Sequence, residues 1–318
     1  MSDLKLFRID EGTATELQGA ATPLEKDLQQ VVEANMETLF AVRFLKSEHS
    51  TGARHNGRID SLGIDENFSP VIFEYKRRTN ENVINQGLFY LDWLMDHKAE
   101  FEQLVQRSPH HELAESIDWR RPRLICVANG FTTYDEYAVQ QINRSIDLVR
   151  YREFGGELLA LELVHTAKNE PATSTGAPNV PTSEAPANGE SAVAAGSGSP
   201  YKTVTEYIAQ ASPELVALYE EVADYCEGLG EDVARKTVKN YVAFRRLKNF
   251  ACVEVKPQAG HVLIYLKVNP DTVELQDGFI RDVRNVGHFG TGDLEVRVSR
   301  PEQLEQAYPL IQRSYEHS

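Results

Sequence analysis

Apolar residues recur at helical spacing between Pro23 and Ala41 (Leu24, Leu28, Val31, Val32, Leu39), with Thr22 as N-cap before Pro23 at the first helical position. This predicts a first helix. Three short runs with strand character follow, Val42 to Glu48, Arg58 to Ile64 and Val71 to Lys76, the last two joined by the turn-rich DENFSP. They read as a meander. A long helical stretch from about Glu81 to Gln106 comes next, then the apolar run Leu124 to Ala128, a helix near Tyr134 to Asn143, and two more strands. The predicted order is αβββαβ, then αββ.

From Lys168 to Pro200 the pattern stops. The segment is almost entirely small or polar and lacks aromatic residues, so it has nothing to bury and is expected to be a flexible tether. It divides the chain into a first domain over residues 1–167, a disordered linker over 168–200 and a smaller α+β domain over 201–318. The last opens with two helical segments, has a strand pair in VEVKPQAGHVLIYLKV turning at Gln258-Ala259-Gly260, and closes with a helix from Pro301.

Composition narrows the function classes. A formal net charge of -15 repels nucleic acid globally, so any such binding must come from local basic clusters. The 3 cysteines (Cys126, Cys226, Cys252) lack metal-ligand spacing and are expected to be reduced core thiols. MSDLKLFRIDEGT has no apolar signal core and no long apolar run occurs, so a cytoplasmic protein with no membrane segment is expected.

The candidate chemistry lies in VIFEYK. Strand alternation puts Ile72, Glu74 and Lys76 on one side, and the apolar VIF marks a buried strand, where unpaired charges are costly. Asp60, in GRIDSLG on the neighbouring strand, would come opposite the Glu74 region. Two carboxylates held close repel until a divalent cation occupies the gap, and hard oxygen ligands suit Mg²⁺ or Mn²⁺. Such ions catalyse phosphodiester hydrolysis, with Lys76 placed to polarise or help deprotonate the attacking water. EYKRR taken by itself reads rather as a strand ending in solvated charges, and ExK alone is a weak motif. Gln86 and Tyr90 share a helix face at i,i+4 within QGLFY, where an amide could orient water or phosphate. On the first helix Glu25 stands at the margin of the apolar face, and Glu33, two turns on, competes for the same role.

Asp60, then Glu74-Tyr75-Lys76, then Gln86 resembles the D…ExK…Q signature of the PD-(D/E)XK, or restriction-endonuclease-like, nuclease superfamily, and the αβββαβ order resembles its core. The Gln86 to Tyr90 spacing is similar to the RecB-like branch, and Glu25 to Asn35 resembles NucS-like endonucleases. The likeness covers roughly residues 20–165, and no proline precedes Asp60. It implies Asp60 and Glu74 as metal ligands, Lys76 as the catalytic lysine, Glu25 as an accessory acid, Gln86 as an orienting residue, and DNA as the substrate. A homodimer would suit cutting both strands of a duplex. From Tyr201 onward the chain resembles a C-terminal domain of unknown function.

DNA contacts would come from Arg54, His55, Arg58, Arg77 and Arg78 around the site, together with Tyr90. Arg120, Arg121 and Arg123 form a loop cluster that could add to these contacts but reads more simply as solvated loop charge. RKTVKNYVAFRRLKNF offers a second basic stripe with Lys236, Lys239, Arg245 and Arg246; the alternative is a strand with Tyr241 and Phe244 inward and its charges in water. GHFGTG could cradle a phosphate or simply turn the chain. Two rivals to a DNA endonuclease stand: a nuclease fold that binds nucleic acid without turnover, and a protein-interaction adaptor.

Overall fold

In the computed structural model, which describes residues 4–20, 25–77, 83–166 and 202–318, the chain opens with a hairpin that its periodicity does not announce. Strands β1 (Leu6–Asp10) and β2 (Thr13–Leu17) pair antiparallel through Glu11 and Gly12, whose φ angles of 46° and 81° are the left-handed pair that suits a two-residue hairpin turn. Both strands are largely exposed, which is why no alternation marks them. A short strand β3 (Gly19–Ala20) follows.

The single first helix expected from the pattern is two, α1 (Glu25–Ala34) and α2 (Met36–Phe40). Asn35 breaks it: its φ is -129° and its side-chain amide donates to Val31 O at 2.8 Å, competing with the helical ladder. The expected cap, Thr22 with Pro23, lies outside the described residues. Strand β4 (Val42–Ser50), the short α3 (Gly52–His55), β5 (Arg58–Asp65) and β6 (Pro70–Lys76) come next, and β4, β5 and β6 form the expected antiparallel meander. The long helical stretch divides at His97 into α4 (Val83–Asp96) and α5 (Lys98–Arg107). Strand β7 (Arg123–Ala128) then runs parallel to β6. Helix α6 (Thr133–Gln140) starts at a capping box formed by Thr132 and Asp135. Strand β8 (Ser145–Phe154) lies parallel to β7, and β9 (Leu158–Thr166) returns antiparallel along β8.

The resulting sheet has the order β3-β8-β7-β6-β5-β4, with β9 also on β8. Its central strands are apolar on both sides because both faces are covered. Leu62, Ile72, Leu124 and Leu148 pack under Leu94 and Phe101 of α4 and α5; Val71, Phe73, Ile125 and Val127 pack under Leu28, Val32 and Phe40 of α1 and α2. Gly87 allows α4 to lie on β7, since a Cβ there would stand 2.5 Å from Leu124 Cδ1.

In the C-terminal part, α7 (Val204–Gln210) and α8 (Pro213–Gly228) precede strands β10 (Ala234–Thr237), β11 (Val242–Arg245), β12 (Asn249–Lys256), β13 (His261–Leu266), β14 (Ile280–Asp282) and β15 (Leu294–Val298), and α9 (Leu304–Glu316) closes the chain. The strands form an antiparallel sheet ordered β10-β11-β12-β13-β15-β14. Tyr219, Val222 and Ile311 of the helices bury against Phe250, Val253 and Ile264 on one face. The protein is thus mixed α/β with several sheets. The expected tether over 168–200 lies outside the described residues.

The basic stripe is where the structure departs most from the sequence reading. RKTVKNYVAFRRLKNF is a hairpin, β10 to β11, and Lys236 and Arg245 are 6% and 3% exposed. Neither reaches water. Arg245 and Arg123 both bond to the fully buried Asp147 of β8, and Lys236 Nζ donates to Ser69 Oγ at 2.6 Å and faces Asp65. The C-terminal sheet therefore docks, through buried charge, on the ends of β6, β7 and β8 where those strands begin. Burial opposes ionisation of Asp147, and the guanidiniums of Arg123 and Arg245 overcome it, holding its carboxyl well below the usual range. Arg123 is likewise withdrawn from the expected loop cluster, and Arg120 is paired with Asp118.

Candidate functional site

Ser61 pairs with Phe73 across the antiparallel β5 and β6, so Asp60, one residue before Ser61, stands against Glu74, one residue after Phe73. The Asp60 N–H donates to Glu74 Oε1 at 3.4 Å and the Tyr75 N–H donates to Asp60 Oδ2 at 3.0 Å. Glu74 has no exposed surface and its Oε2 has no hydrogen-bond partner. Burial, then the neighbouring Asp60, pushes the Glu74 carboxyl up to about 9. Burial also raises Asp60, to about 6, against the pull of the Tyr75 N–H and Lys76, with Glu25 and Glu48 adding to the rise. Two carboxyl groups are thus held side by side where water solvates them poorly, and Glu74 keeps its proton at neutral pH.

Lys76 ends β6 on the same face. Burial works against its charge, but Asp60, Glu25 and Glu74 together raise its pKa, so it is an ammonium. Its Nζ lies 3.4 Å from Glu25 Oε1, and Glu25 Oε2 accepts from the Arg77 N–H at 3.3 Å. The structure separates the two candidate acids of the first helix. Glu25 meets Lys76, whereas Glu33 accepts from Ser61 Oγ at 2.6 Å and from Gln29. Gln29 is itself buried and donates to Asp60 O at 2.9 Å, a support that the sequence pattern does not reveal.

Gln86 Nε2 donates to Tyr90 Oη at 3.3 Å, and the same oxygen accepts from the Arg58 N–H at 3.1 Å, anchoring the start of β5. Gly57 must be small there, because a Cβ would stand 2.7 Å from the Tyr90 ring. The rim loop TGARHNG closes on Thr51, whose Oγ1 accepts from the Gly57 N–H at 2.9 Å; Gly52 and Asn56 take left-handed backbone at φ 80° and 46°. Together these elements enclose an open cleft of about 600 Å³, lined by Glu25, Asp60, Lys76, Gln86, Tyr90 and Arg58 among others; Glu74, fully buried, does not line it. It lies at the end of β6 where that strand finishes, the common place for sites in sheets with parallel strands.

Of the expected basic contacts, Arg58 is on the rim but pairs with Glu48, and Arg77 is exposed beside Glu25. Arg78 and the Arg54 side chain lie outside the described residues. Lys239 is exposed, while Arg246 binds Asp232 and covers the Tyr315 ring; neither lines the cleft. In GHFGTG, a Cβ at Gly290 would stand 2.7 Å from Cys252 Cβ and one at Gly292 2.6 Å from Leu266 N, so these glycines serve close packing before β15.

Among the described residues no three His, Cys, Asp or Glu side chains converge on one point. Asp60 and Glu74 nonetheless fit a hard divalent cation: they supply oxygen only, one oxygen is an orphan, and Mg²⁺ commonly takes one or two carboxylates with water and phosphate completing its shell. The three cysteines are buried and free. Among the described residues no helix is long and apolar enough to cross a membrane.

Residues 204–318 match the family described as Domain of unknown function (DUF5655). An uncharacterized protein of Haemophilus influenzae is 26% identical over 320 residues, covering 98% of this chain and 99% of its own length. The solved structure of an EndoMS–double-stranded DNA complex aligns with a TM-score of 0.25 and 19% identity over 43% of this chain. The alignment spans 47% of that chain, about half its length.

Proposed function

We propose that this protein is a divalent-metal-dependent nuclease whose centre is Asp60, Glu74 and Lys76, on a PD-(D/E)XK-like core. The observation that carries the reading is a buried acid left unpaired: Glu74 Oε2 has no hydrogen-bond partner, and Glu74 stands against Asp60, which lines an open cleft together with Lys76. Holding two acids together here costs stability, because burial and the neighbouring Asp60 keep Glu74 from ionising although Lys76 lies nearby. It is explained by a ligand that is doubly positive.

Asp60 and Glu74 would hold Mg²⁺ or Mn²⁺. The ion would supply charge neutralisation at the phosphate and acidify a water for attack on phosphorus. Lys76, kept protonated by three carboxylates, donates hydrogen bonds and offsets negative charge on the phosphoryl oxygens as the P–O bond breaks. Its protonation favours this polarising role over that of a base. Glu25 steers Lys76, and Tyr90 with Gln86 holds the start of β5, on which Asp60 rides. The substrate in this reading is DNA, reached from the rim that carries Arg58 and Arg77.

A gel cleavage assay on plasmid and single-stranded DNA with Mg²⁺, Mn²⁺ or EDTA tests the reading, with Asp60→Ala and Lys76→Ala as controls. Metal-dependent cutting lost in both variants is expected. Binding of DNA without cutting, insensitive to EDTA and to Glu74→Ala, would instead make this a binding module.

A further inference from the structure

The turn that joins the two ligand-bearing strands is gripped by the other half of the molecule. Residues 65–69, Asp-Glu-Asn-Phe-Ser, connect β5 to β6. Within the turn, Asp65 Oδ1 accepts from the N–H groups of Asn67 and Ser69, both at 2.9 Å. Phe68 takes left-handed backbone at φ 61°, a conformation that a non-glycine residue keeps only where its surroundings enforce it. Phe68 itself packs on the N-terminal core and its carbonyl accepts from the Asp118 N–H at 2.7 Å, while the polar residues around it in the turn meet the C-terminal domain. Asn67 is 1% exposed, and its amide exchanges two hydrogen bonds with that of Asn249, at 2.8 and 3.1 Å, while Tyr241 Oη adds a third at 3.0 Å. Glu66 accepts from the Asn249 N–H, from Lys267 Nζ at 2.7 Å and from Thr291 Oγ1 at 2.9 Å. Lys236 holds Ser69.

Turn geometry fixes register in a hairpin, and a slip of one residue sends every side chain to the opposite face. Here a slip would take Glu74 away from Asp60. The restraint against it sits five residues from each carboxylate, about 17 Å along the strands.

We infer that the C-terminal domain, which matches a family of unknown function, clamps the β5–β6 turn and so sets Asp60 against Glu74, with Asn249 its principal positioning residue. This deepens the nuclease reading by giving the second domain a role in that site. It predicts that loosening the turn loosens the far end of the hairpin, in a chain whose C-terminal domain remains folded.

The test is hydrogen exchange in the full-length, metal-free protein, read at the amides of Asp60 and Tyr75. Three variants are compared: Asn249→Ala, Lys236→Met, which removes the charge but keeps the stem, and Val222→Ala, which weakens the C-terminal core without touching the turn. Loss of one partner of a buried hydrogen bond is expected to speed exchange at Tyr75 by about tenfold in Asn249→Ala, and by more than in Val222→Ala at equal global stability. Should Asn249→Ala not fold, Lys236→Met carries the same expectation. Equal protection of Tyr75 in the clamp variants and in Val222→Ala would overturn the clamp. The readout needs neither metal nor turnover, so a wild-type protein that cuts nothing would sink the nuclease reading and leave the clamp standing or falling on exchange.

Discussion

The Tyr75 backbone N–H donates to Asp60 Oδ2 at 3.0 Å, so one candidate metal ligand is tied to the main chain of the strand that carries the other. The carboxylate is oriented before anything binds, as preorganised sites require. Asp60→Asn keeps an oxygen for that bond and loses the charge. Its thermal unfolding is expected to shift little, while cleavage falls by more than about 100-fold, beyond the cost of losing an outer-shell group. Cleavage at the wild-type rate would remove Asp60 from the centre.

Glu74 gives the metal-free protein a pH signature. Its folded carboxyl titrates at about 9, above its ordinary value of 4.5, so the folded state holds the proton more tightly than the unfolded one. That contribution is fully present below the ordinary value and is lost as pH rises toward about 9. Glu74→Gln does not ionise. Its melting temperature, relative to wild type, should therefore rise between pH 5 and pH 9, values that bracket most of this window. Adding Mn²⁺ at high pH should stabilise the wild type and not the variant. A pH-independent difference would mean that Glu74 is solvated.

Arg245→Met leaves buried Asp147 with one guanidinium in place of two. Breaking a buried charge network by removing one partner is expected to cost about 3 kcal/mol in urea unfolding. Because the Asp147 pKa is depressed, the wild type should lose this advantage as pH falls below the ordinary aspartate range, so the two proteins converge in acid. A cost below about 1 kcal/mol at neutral pH would match an exposed pair and contradict the buried docking.

Gly87→Ala drives a methyl to within 2.5 Å of Leu124 on β7. Overpacking of this kind is expected to cost about 1–3 kcal/mol. Leu124→Ala in the same chain should recover part of it, and strictly additive effects would argue that α4 does not pack on β7 there.

Tyr90→Phe removes the acceptor for both the Arg58 N–H and Gln86 Nε2. A loss of about 1–2 kcal/mol is expected, together with faster hydrogen exchange at Arg58. Unchanged exchange at Arg58 would show that the hydroxyl does not anchor β5.

Much of the architecture is legible in local pattern. VIFEYK shows both the buried strand and the shared side of Glu74 and Lys76, and the antiparallel meander follows from the spacing of three apolar runs around DENFSP. The helix breaks at Asn35 and His97 are not legible, because a short interruption leaves the apolar stripe in phase. Neither is the first hairpin, whose exposed strands carry no alternation.

What the sequence determined by itself is which side of each element a residue faces, because periods of 2 and 3.6 are properties of the local backbone. What only the tertiary structure decided is what meets each face. Lys236 and Arg245 read as basic residues for water or phosphate, and folding set them against Asp65 and Asp147, acids more than 90 positions away. Glu25 and Glu33 are equivalent by helical spacing, and only the packing of α1 on the sheet gave Lys76 to one and Ser61 to the other. The orphaned oxygen of Glu74 is of the same kind: a buried polar atom without a partner is identified only in three dimensions, which no spacing along the chain encodes.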